Sequence, residues 1–388
     1  MKPIAKAPHR STRDGLEPAG PEPRVYVVLC VYEPDRDLFA GQIRSILNQD
    51  HANLEIVIVP DGPTPEAEEV LKSFSDRRIH YLAQADRVGV YANFGRALRH
   101  AVSRSRSASD LFAYSDQDDI WRPDKLSRHV SYLHNHPAVS LTHSDARVVD
   151  AAGNTIHESM FAYERRNKVS SVANLLLVNN VTGMTAVFRK TVATIAADAP
   201  PQKGLFFHHD LWTALIAASI GEIGVIDAPL VDYAQHNRNV IGAVEVAPGP
   251  RERKRGFMTR VYIRMCIDQY ILRYYLFRRL KAALGDRVGK QSAGVSLLAE
   301  YLYGTGFFGC EALPYAMYLA CTGKRGLARQ AFRLGIGKLA LLAQVMRIKN
   351  GGSIVYRFRA RTNAECKTLL DYTANLDAVQ IMASQTCY

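Results

Sequence analysis

Apolar runs alternate with amphipathic stretches from Val25 onward. The run VYVVLCVY that begins at Val25 is rich in β-branched residues and is closed by Glu33-Pro34, which predicts a buried strand. Leu38, Ile43, Ile46 and Leu47 then recur at helical spacing. A second apolar run, LEIVIV at 54–59, ends at Pro60-Asp61-Gly62 and predicts a second strand. The pattern continues with a helix over 64–74, a strand IHYL at 79–82, a helix over 90–104 and a strand LFAY at 111–114. Beyond Trp121 the spacing predicts a helix over 123–135, with TGMTAVF and GEIGVI as further strands around a helix that contains Asp210.

Strands that alternate with helices in this way predict right-handed βαβ units and a parallel sheet covered on both faces. Ligands of such sheets bind beyond the C-terminal ends of the strands. Three of those ends carry polar or acidic groups: Glu33, Asp61, and the cluster Asp116, Asp118 and Asp119.

Composition adds scale and place. A chain of 388 residues, 47% hydrophobic and 22% charged, is long enough for one large α/β domain with an extension, and it is not of disordered type. The six cysteines are scattered without CxxC spacing, so neither a zinc site nor a disulfide framework is expected, and a reducing cytosol fits. Residues 1–24 contain Lys2, Lys6, Arg10 and Arg13 without an apolar segment; they read as a disordered basic leader and not as a secretory signal. No run of 18 apolar residues occurs, so a spanning helix is not expected.

The net charge of +12 is concentrated late in the chain. Residues 251–361 hold 22 Lys and Arg against five acidic side chains. After Gly249-Pro250 the texture turns helical, with helices predicted over 258–284, 290–303, 310–322 and 325–347. The expected organisation is a leader over 1–24, an α/β domain over 25–245 and a basic helical extension over 246–388. In that extension Arg273, Arg278, Arg279 and Lys281 interleave with Tyr270, Tyr274, Tyr275 and Phe277, which suits docking on an anionic membrane surface. A plain solvated extension is the alternative. No nucleic-acid-binding fold accompanies these residues, so a nucleic-acid partner is not expected.

The strongest chemical signal is Tyr114-Ser115-Asp116-Gln117-Asp118-Asp119-Ile120-Trp121, three carboxylates in four residues directly after a strand. Their repulsion calls for a cation, and oxygen ligands suit Mg2+ or Mn2+. The same acids also read as helix caps, because Asp118 or Asp119 could cap a helix starting at Pro123.

With these elements the chain resembles glycosyltransferase family 2, of GT-A fold, and within it the rhamnosyltransferase-like members, over residues 25–243. Asp116-Gln117-Asp118 is similar to the family's DXD element, followed by Asp119-Ile120-Trp121 and Lys125-Leu126. Ser45-Ile46-Leu47-Asn48-Gln49 and Leu54-Glu55-Ile56 resemble its first helix and second strand. Val59-Pro60-Asp61-Gly62 resembles its DDGS turn, with Pro60 and Pro63 in place of the first acid and the serine. Gly89, Asn93 and Gly95 approximate its donor-binding loop. His208-His209-Asp210-Leu211-Trp212 resembles the base motif. Tyr233 to Gly242 is similar to a YRQHxxNviG segment, with Ala234 where the family has arginine.

The resemblance implies a GT-A nucleotide-diphospho-sugar transferase that works with inversion, with Mn2+ or Mg2+ as cofactor. Asp118, Asp116 and His236 are the implied metal ligands and Asp210 the implied base, against its other reading as a helix N-cap. Cys30, Tyr32, Glu33, Asp61, Arg87, Asn93, Asp116 and Gln117 are the implied donor contacts, although Cys30 by itself reads more readily as a buried structural thiol. The implied donor is a dTDP or UDP sugar, rhamnose first. The implied acceptor is a hydroxyl of a cell-surface glycan or lipid-linked saccharide, reached in the cytoplasm or at the inner membrane face. The departures at Pro60, Pro63 and Ala234 keep open a non-catalytic, sugar-nucleotide-binding or glycan-binding scaffold of the same fold.

Overall fold

The computed structural model describes residues 22–236 apart from 167, 169, 199, 201 and 203–206, together with 243 and scattered positions in 269–285 and 331–335. The expected leader lies almost wholly outside the described residues. So do the domain boundary over 245–257 and most of the helices predicted after it.

The first half of the domain alternates as its apolar runs predict. The elements are β1 (Val25–Val31), α1 (Arg36–Leu47), β2 (Leu54–Pro60), α2 (Pro65–Leu71), β3 (Ile79–Tyr81), α3 (Val90–Arg104) and β4 (Leu111–Ser115). There follow β5 (Ile120–Trp121), α4 (Lys125–Asn135), β6 (Val139–Asp150), β7 (Thr155–His157), α5 (Met160–Tyr163), α6 (Val172–Leu177), a 3-10 turn over Gly183–Thr185, β8 (Ala186–Arg189), α7 (Lys190–Ala196), α8 (His209–Ile220) and β9 (Glu222–Gln235).

Among the described residues one sheet of nine strands runs in the order β3-β2-β1-β4-β8-β6-β9-β5, with β7 beside β6. The pairs among β3, β2, β1 and β4 are parallel, as expected. The sheet then turns mixed: β8 is antiparallel to both β4 and β6, β9 is parallel to β6, and β5 is antiparallel to β9. The all-parallel sheet predicted from alternation therefore holds only up to β4.

Every residue of β1 is buried because the strand lies between two helical layers. Tyr26, Val28 and Cys30 face a core shared with α3, α6, α7 and α8, while Val25, Val27, Leu29 and Val31 face one shared with α1 and α4. From α1, Phe39, Ile43 and Ile46 enter the second core, each worth about 1.5–3 kcal/mol of burial.

Three sequence expectations change here. Strand β6 was not predicted, because buried Ser140, Thr142, His143, Ser144 and Asp145 break its apolar pattern. Helix α4 begins at Lys125 with Asp124 at its N-cap, so neither Asp118 nor Asp119 caps it. In the basic segment, the described residues of 269–284 are helical, and Tyr275 and Phe277 are buried in the same core as α8, Tyr275 with its ring 6.2 Å from that of Phe207. Those two rings pack on protein and are not available to a membrane surface. Among the described residues no helix is long and apolar enough to cross a membrane.

Candidate active site

The ends of β1, β2 and β4 are neighbours in the sheet, and this brings Tyr32-Glu33, Asp61 and the acidic turn 116–119 to one rim. The acidic turn is bolted to α1 by a ladder of polar side chains one helical turn apart. Gln42 Nε2 donates to Ser115 Oγ at 2.6 Å, Ser45 Oγ accepts from Trp121 N at 3.0 Å, and Gln49 Nε2 donates to Arg122 O at 2.7 Å while its Oε1 accepts from Leu126 N at 2.9 Å. Gln42 was not singled out by sequence; its signal is its place one turn before Ser45 on the same helix.

The other side of the turn is clasped to β9. Trp121 and Ile120 pair with Val231 and Asp232, Asp119 Oδ1 accepts from Ala234 N at 3.2 Å, and His236 Nε2 lies 2.8 Å from Asp118 Oδ2. Asp119 is fully buried in this clasp. Beside it Lys125, also fully buried, holds Nζ 3.4 Å from the centre of the Trp121 ring; neither Lys125 Nζ nor Asp119 Oδ2 has a hydrogen-bond partner.

At the opposite end of the rim, Tyr32 N donates to Gln117 Oε1 at 2.8 Å and Gln117 Nε2 donates to Tyr32 O at 3.0 Å, a reciprocal pair that fixes Gln117 against β1. Tyr32 hydroxyl donates to Glu33 at 2.5 Å, and the Arg87 guanidinium stacks 3.9 Å from the Tyr32 ring centre. Asp61 accepts from Val88 N at 2.7 Å and from Gly89 N at 3.0 Å, with Arg87 Nε at 3.7 Å. Gly89 has φ +84°, which a residue with Cβ rarely adopts, so Asp61 and Gly89 together shape the loop. Cys30 and Asn93 differ from the expectation of donor contact. Asn93 is fully buried, and its Nδ2 donates to Val59 O at 2.9 Å, tying α3 to β2; Cys30 is buried in the first core, where burial pushes its thiol well up.

Asp210 is the second residue of α8, and His208 is the N-cap, so the acid is not the cap. Its carboxylate accepts from Asn179 Nδ2 at 3.0 Å, Leu211 N at 2.6 Å and Gly183 N at 3.3 Å. His209 points away into the core, stacked 3.6 Å from Phe94 and edge-on to Tyr114, consistent with a packing role. A Cβ on Gly183 would stand 2.8 Å from His209 Nε2. Neither Asn179 nor Gly183 was singled out in the sequence.

Residues 26–194 match the family model for glycosyl transferase family 2. This domain belongs to glycosyltransferase family 2. Its fold is of the GT-A type. The matched span of the family 2 domain covers Asp61, Arg87 and the 116–119 turn; Asp210 and His236 lie beyond it. An uncharacterized glycosyltransferase of Methanocaldococcus jannaschii is 29% identical over 140 residues, 35% of this chain and 46% of that protein. Another, of Haemophilus influenzae, is 28% identical over 138 residues, 34% of this chain and 51% of that protein. The chain spans about half the length of these curated relatives. Of solved structures, S. aureus TarS 1–349 aligns with a TM-score of 0.45 at 11% identity, covering 86% of this chain and 93% of that one. The mannosyltransferase PcManGT from Pyrobaculum calidifontis, in complex with GDP-Man and Mn2+, aligns at 0.40 and 18% identity, covering 83% and 86%.

The electrostatics of the family 2 domain concentrate on four carboxylates. Burial, then the charges of Asp118 and Asp210, push Asp116 up to about 7. Burial likewise raises Asp118, against the pull of His236, and raises Asp119 strongly. Burial raises Asp210, opposed by His208, by the Leu211 and Gly183 amides and by Arg166. Since Asp116 senses Asp210, the acidic turn and α8 address one electrostatic site.

Among the described residues no group of three His, Cys, Asp or Glu side chains is arranged to hold a metal ion. Of the three expected ligands, Asp118 and His236 meet directly, and Asp116 stands near enough to be shifted by Asp118. One carboxylate and one imidazole, with the remaining positions left to diphosphate oxygens and water, suit Mg2+ or Mn2+, which keep much of their shell from substrate and solvent. A divalent charge there would also offset the burial cost carried by Asp116 and Asp118.

Proposed function

We propose that the chain is an inverting, metal-dependent glycosyltransferase that moves a sugar from a nucleoside diphosphate to an acceptor hydroxyl. The observation that carries this reading is the packing of Asp210's helix on the strand that ends in the acidic turn, Tyr114 hydroxyl lying 2.9 Å from Thr213 Oγ1, with Asp210 not consumed as a cap. Donor nucleotide fits the rim of Tyr32, Glu33, Asp61, Arg87 and Gln117, where the Tyr32 ring and the Arg87 guanidinium stack beyond the ends of β1 and β2. Asp118 and His236, backed by Asp116, would hold Mn2+ or Mg2+, which when bound neutralises charge on the departing diphosphate.

Asp210 takes the proton of the acceptor hydroxyl as that oxygen bonds to the sugar's C1 from the face opposite the diphosphate. The C1–O bond to the diphosphate breaks, and its electron pair leaves with the diphosphate. Rhamnose from dTDP is the first donor to try, on the resemblance alone, with UDP sugars second. The acceptor class is a hydroxyl on a cell-surface glycan or lipid-linked saccharide. The basic charge of 251–361 supports work beside an anionic membrane surface, at the inner face of the cell membrane.

A thermal-shift screen of UDP, dTDP and GDP with and without Mn2+ tests the donor class, because a bound ligand raises the melting temperature with occupancy. Asp118→Ala should remove the Mn2+-dependent shift, and retention of the full shift would sink the metal assignment. A non-catalytic scaffold remains the second reading, favoured by the engagement of Asp61 with its own loop amides. It predicts nucleotide binding with neither transfer nor donor hydrolysis.

A further inference from the structure

The two oxygens of Asp210 are unequal. Oδ1 accepts two hydrogen bonds, from Asn179 Nδ2 at 3.0 Å and from Leu211 N at 2.6 Å, whereas Oδ2 has a single long contact, from Gly183 N at 3.3 Å. Asn179 is itself held: its Oδ1 accepts from Val181 N at 3.1 Å. That bond settles which way the amide faces, since a carbonyl oxygen accepts and only the NH2 can donate to a carboxylate.

We propose that Asn179 is the positioning residue of the base, anchoring Asp210 Oδ1 so that Oδ2 is the oxygen that receives the acceptor's proton. This rests on the reading of Asp210 as the base. A carboxylate free to rotate presents either oxygen in any plane, while a base oriented by a second group presents one lone pair in one direction. Asn179 supplies that second group from the connection between α6 and the 3-10 turn, on a different element from the base. As the acceptor oxygen bonds to C1, its proton passes to Oδ2, and the diphosphate leaves with the C1–O electron pair. Asn179 keeps its own protons throughout, and its N–H favours the ionised carboxylate against burial.

The other groups that bear on Asp210 are His208 at the start of its own helix, Arg166 from the connection between α5 and α6, Asp116 from the acidic turn and Tyr114 on β4. All of them remain when Asn179 is changed, so a shift in Asp210 reports on Asn179.

The test uses the full chain with aspartate carboxyl carbons labelled for NMR, with Asp210→Asn assigning the Asp210 signal. Asn179→Asp is the main variant: it keeps an acceptor for Val181 N and replaces only the donor. Asn179→Ala is the second. The titration midpoint of Asp210 should rise by about one pH unit in N179A and by more in N179D, where a like charge faces it. Mn2+-dependent UDP affinity by calorimetry should stay within about twofold, and hydrolysis of dTDP-rhamnose or UDP-glucose should show an acid limb displaced upward by the same amount. An unmoved or lowered midpoint in both variants overturns the role of Asn179. If D210N hydrolyses donor as fast as the wild type, the base assignment itself fails, whatever the NMR shows. If D210N is inactive while N179D titrates like the wild type, only the role of Asn179 fails.

Discussion

His236 Nε2 lies 2.8 Å from Asp118 Oδ2, two side chains separated by 118 residues and brought together because β5 runs antiparallel to the last turnward stretch of β9. The contact makes the imidazole both a direct ligand candidate and the group that limits the rise of the Asp118 pKa. His236→Ala should weaken Mn2+-dependent UDP binding by about 10–100-fold while leaving metal-free binding nearly unchanged. Isothermal calorimetry with and without Mn2+ checks it, and equal losses in both conditions would place His236 on the nucleotide instead.

The buried pair Lys125 and Asp119 makes a prediction about stability. Burial pushes the Asp119 carboxyl strongly up and the Lys125 ammonium strongly down, so both favour their uncharged forms. Lys125→Met, which keeps the stem over the Trp121 ring and removes an unpartnered Nζ, should cost less than about 1.5 kcal/mol. Asp119→Asn, which keeps an acceptor for Ala234 N, should change stability by a similarly small amount, and a loss above about 3 kcal/mol in Lys125→Met alone would show that the two carry opposite charges. Urea denaturation of the two single variants and the double variant measures the coupling.

His209 gives a pH dependence with a definite sign. Burial pushes it down to about 3, so it is neutral in the folded state and protonates on unfolding below about 6.5. A lowered folded-state value means that the stability is present above about 6.5 and is lost as pH falls toward 3, by about 1.4 kcal/mol per pH unit. Asp116, raised to about 7, acts in the opposite sense, gaining stability as pH falls below 7. His209→Phe keeps the ring stack with Phe94 and Tyr114 and leaves Asp116 in place. Its unfolding free energy should therefore fall less between pH 7 and pH 5 than that of the wild type, by about 2 kcal/mol at pH 5.

Gly183 carries two demands at one position. Its amide reaches Asp210, and a Cβ there would come within 2.8 Å of a His209 ring that is already stacked and cannot retreat. Gly183→Ala should cost about 1–3 kcal/mol by overpacking and should slow donor hydrolysis beyond that loss of stability. Hydrolysis at wild-type rate in a destabilised G183A would separate the packing role from the catalytic one.

How far these contacts were legible in the chain depends on whether the information is local. The strands β1, β2 and β4 are apolar runs closed by Pro, Gly or acidic residues, so both they and the acids at their ends are visible from residue pattern. Strand β6 is not, because its buried positions are filled by Ser, Thr, His and Asp whose partners lie on other elements, such as His129 for Thr142 and Ser159 for Asp145. Asp210 is visible as a residue type near a helix start. Asn179, which orients it, is one asparagine in a polar connection and acquires meaning only through a contact 31 residues away. The same holds for Gln42 against Ser115, and for Tyr275 and Phe277, whose aromatic-and-cationic surroundings suggested lipid while their rings pack against the domain.

Strand β9 runs 14 residues from its pairing with Val139 at one end of β6 to the residue before His236 at the other. Alternate side chains of a strand point to opposite faces, so the site depends on how many residues β9 contains more than on which they are. Substitutions at the outward positions of 222–235 should be absorbed one at a time, unlike those at Gly224, Leu230, Val231 and Asp232, whereas deleting a single residue would shift the clasp by one step and turn the 118–236 contact to the wrong side of the sheet. In a population of diverging sequences, the outward positions of this segment should vary while its length holds.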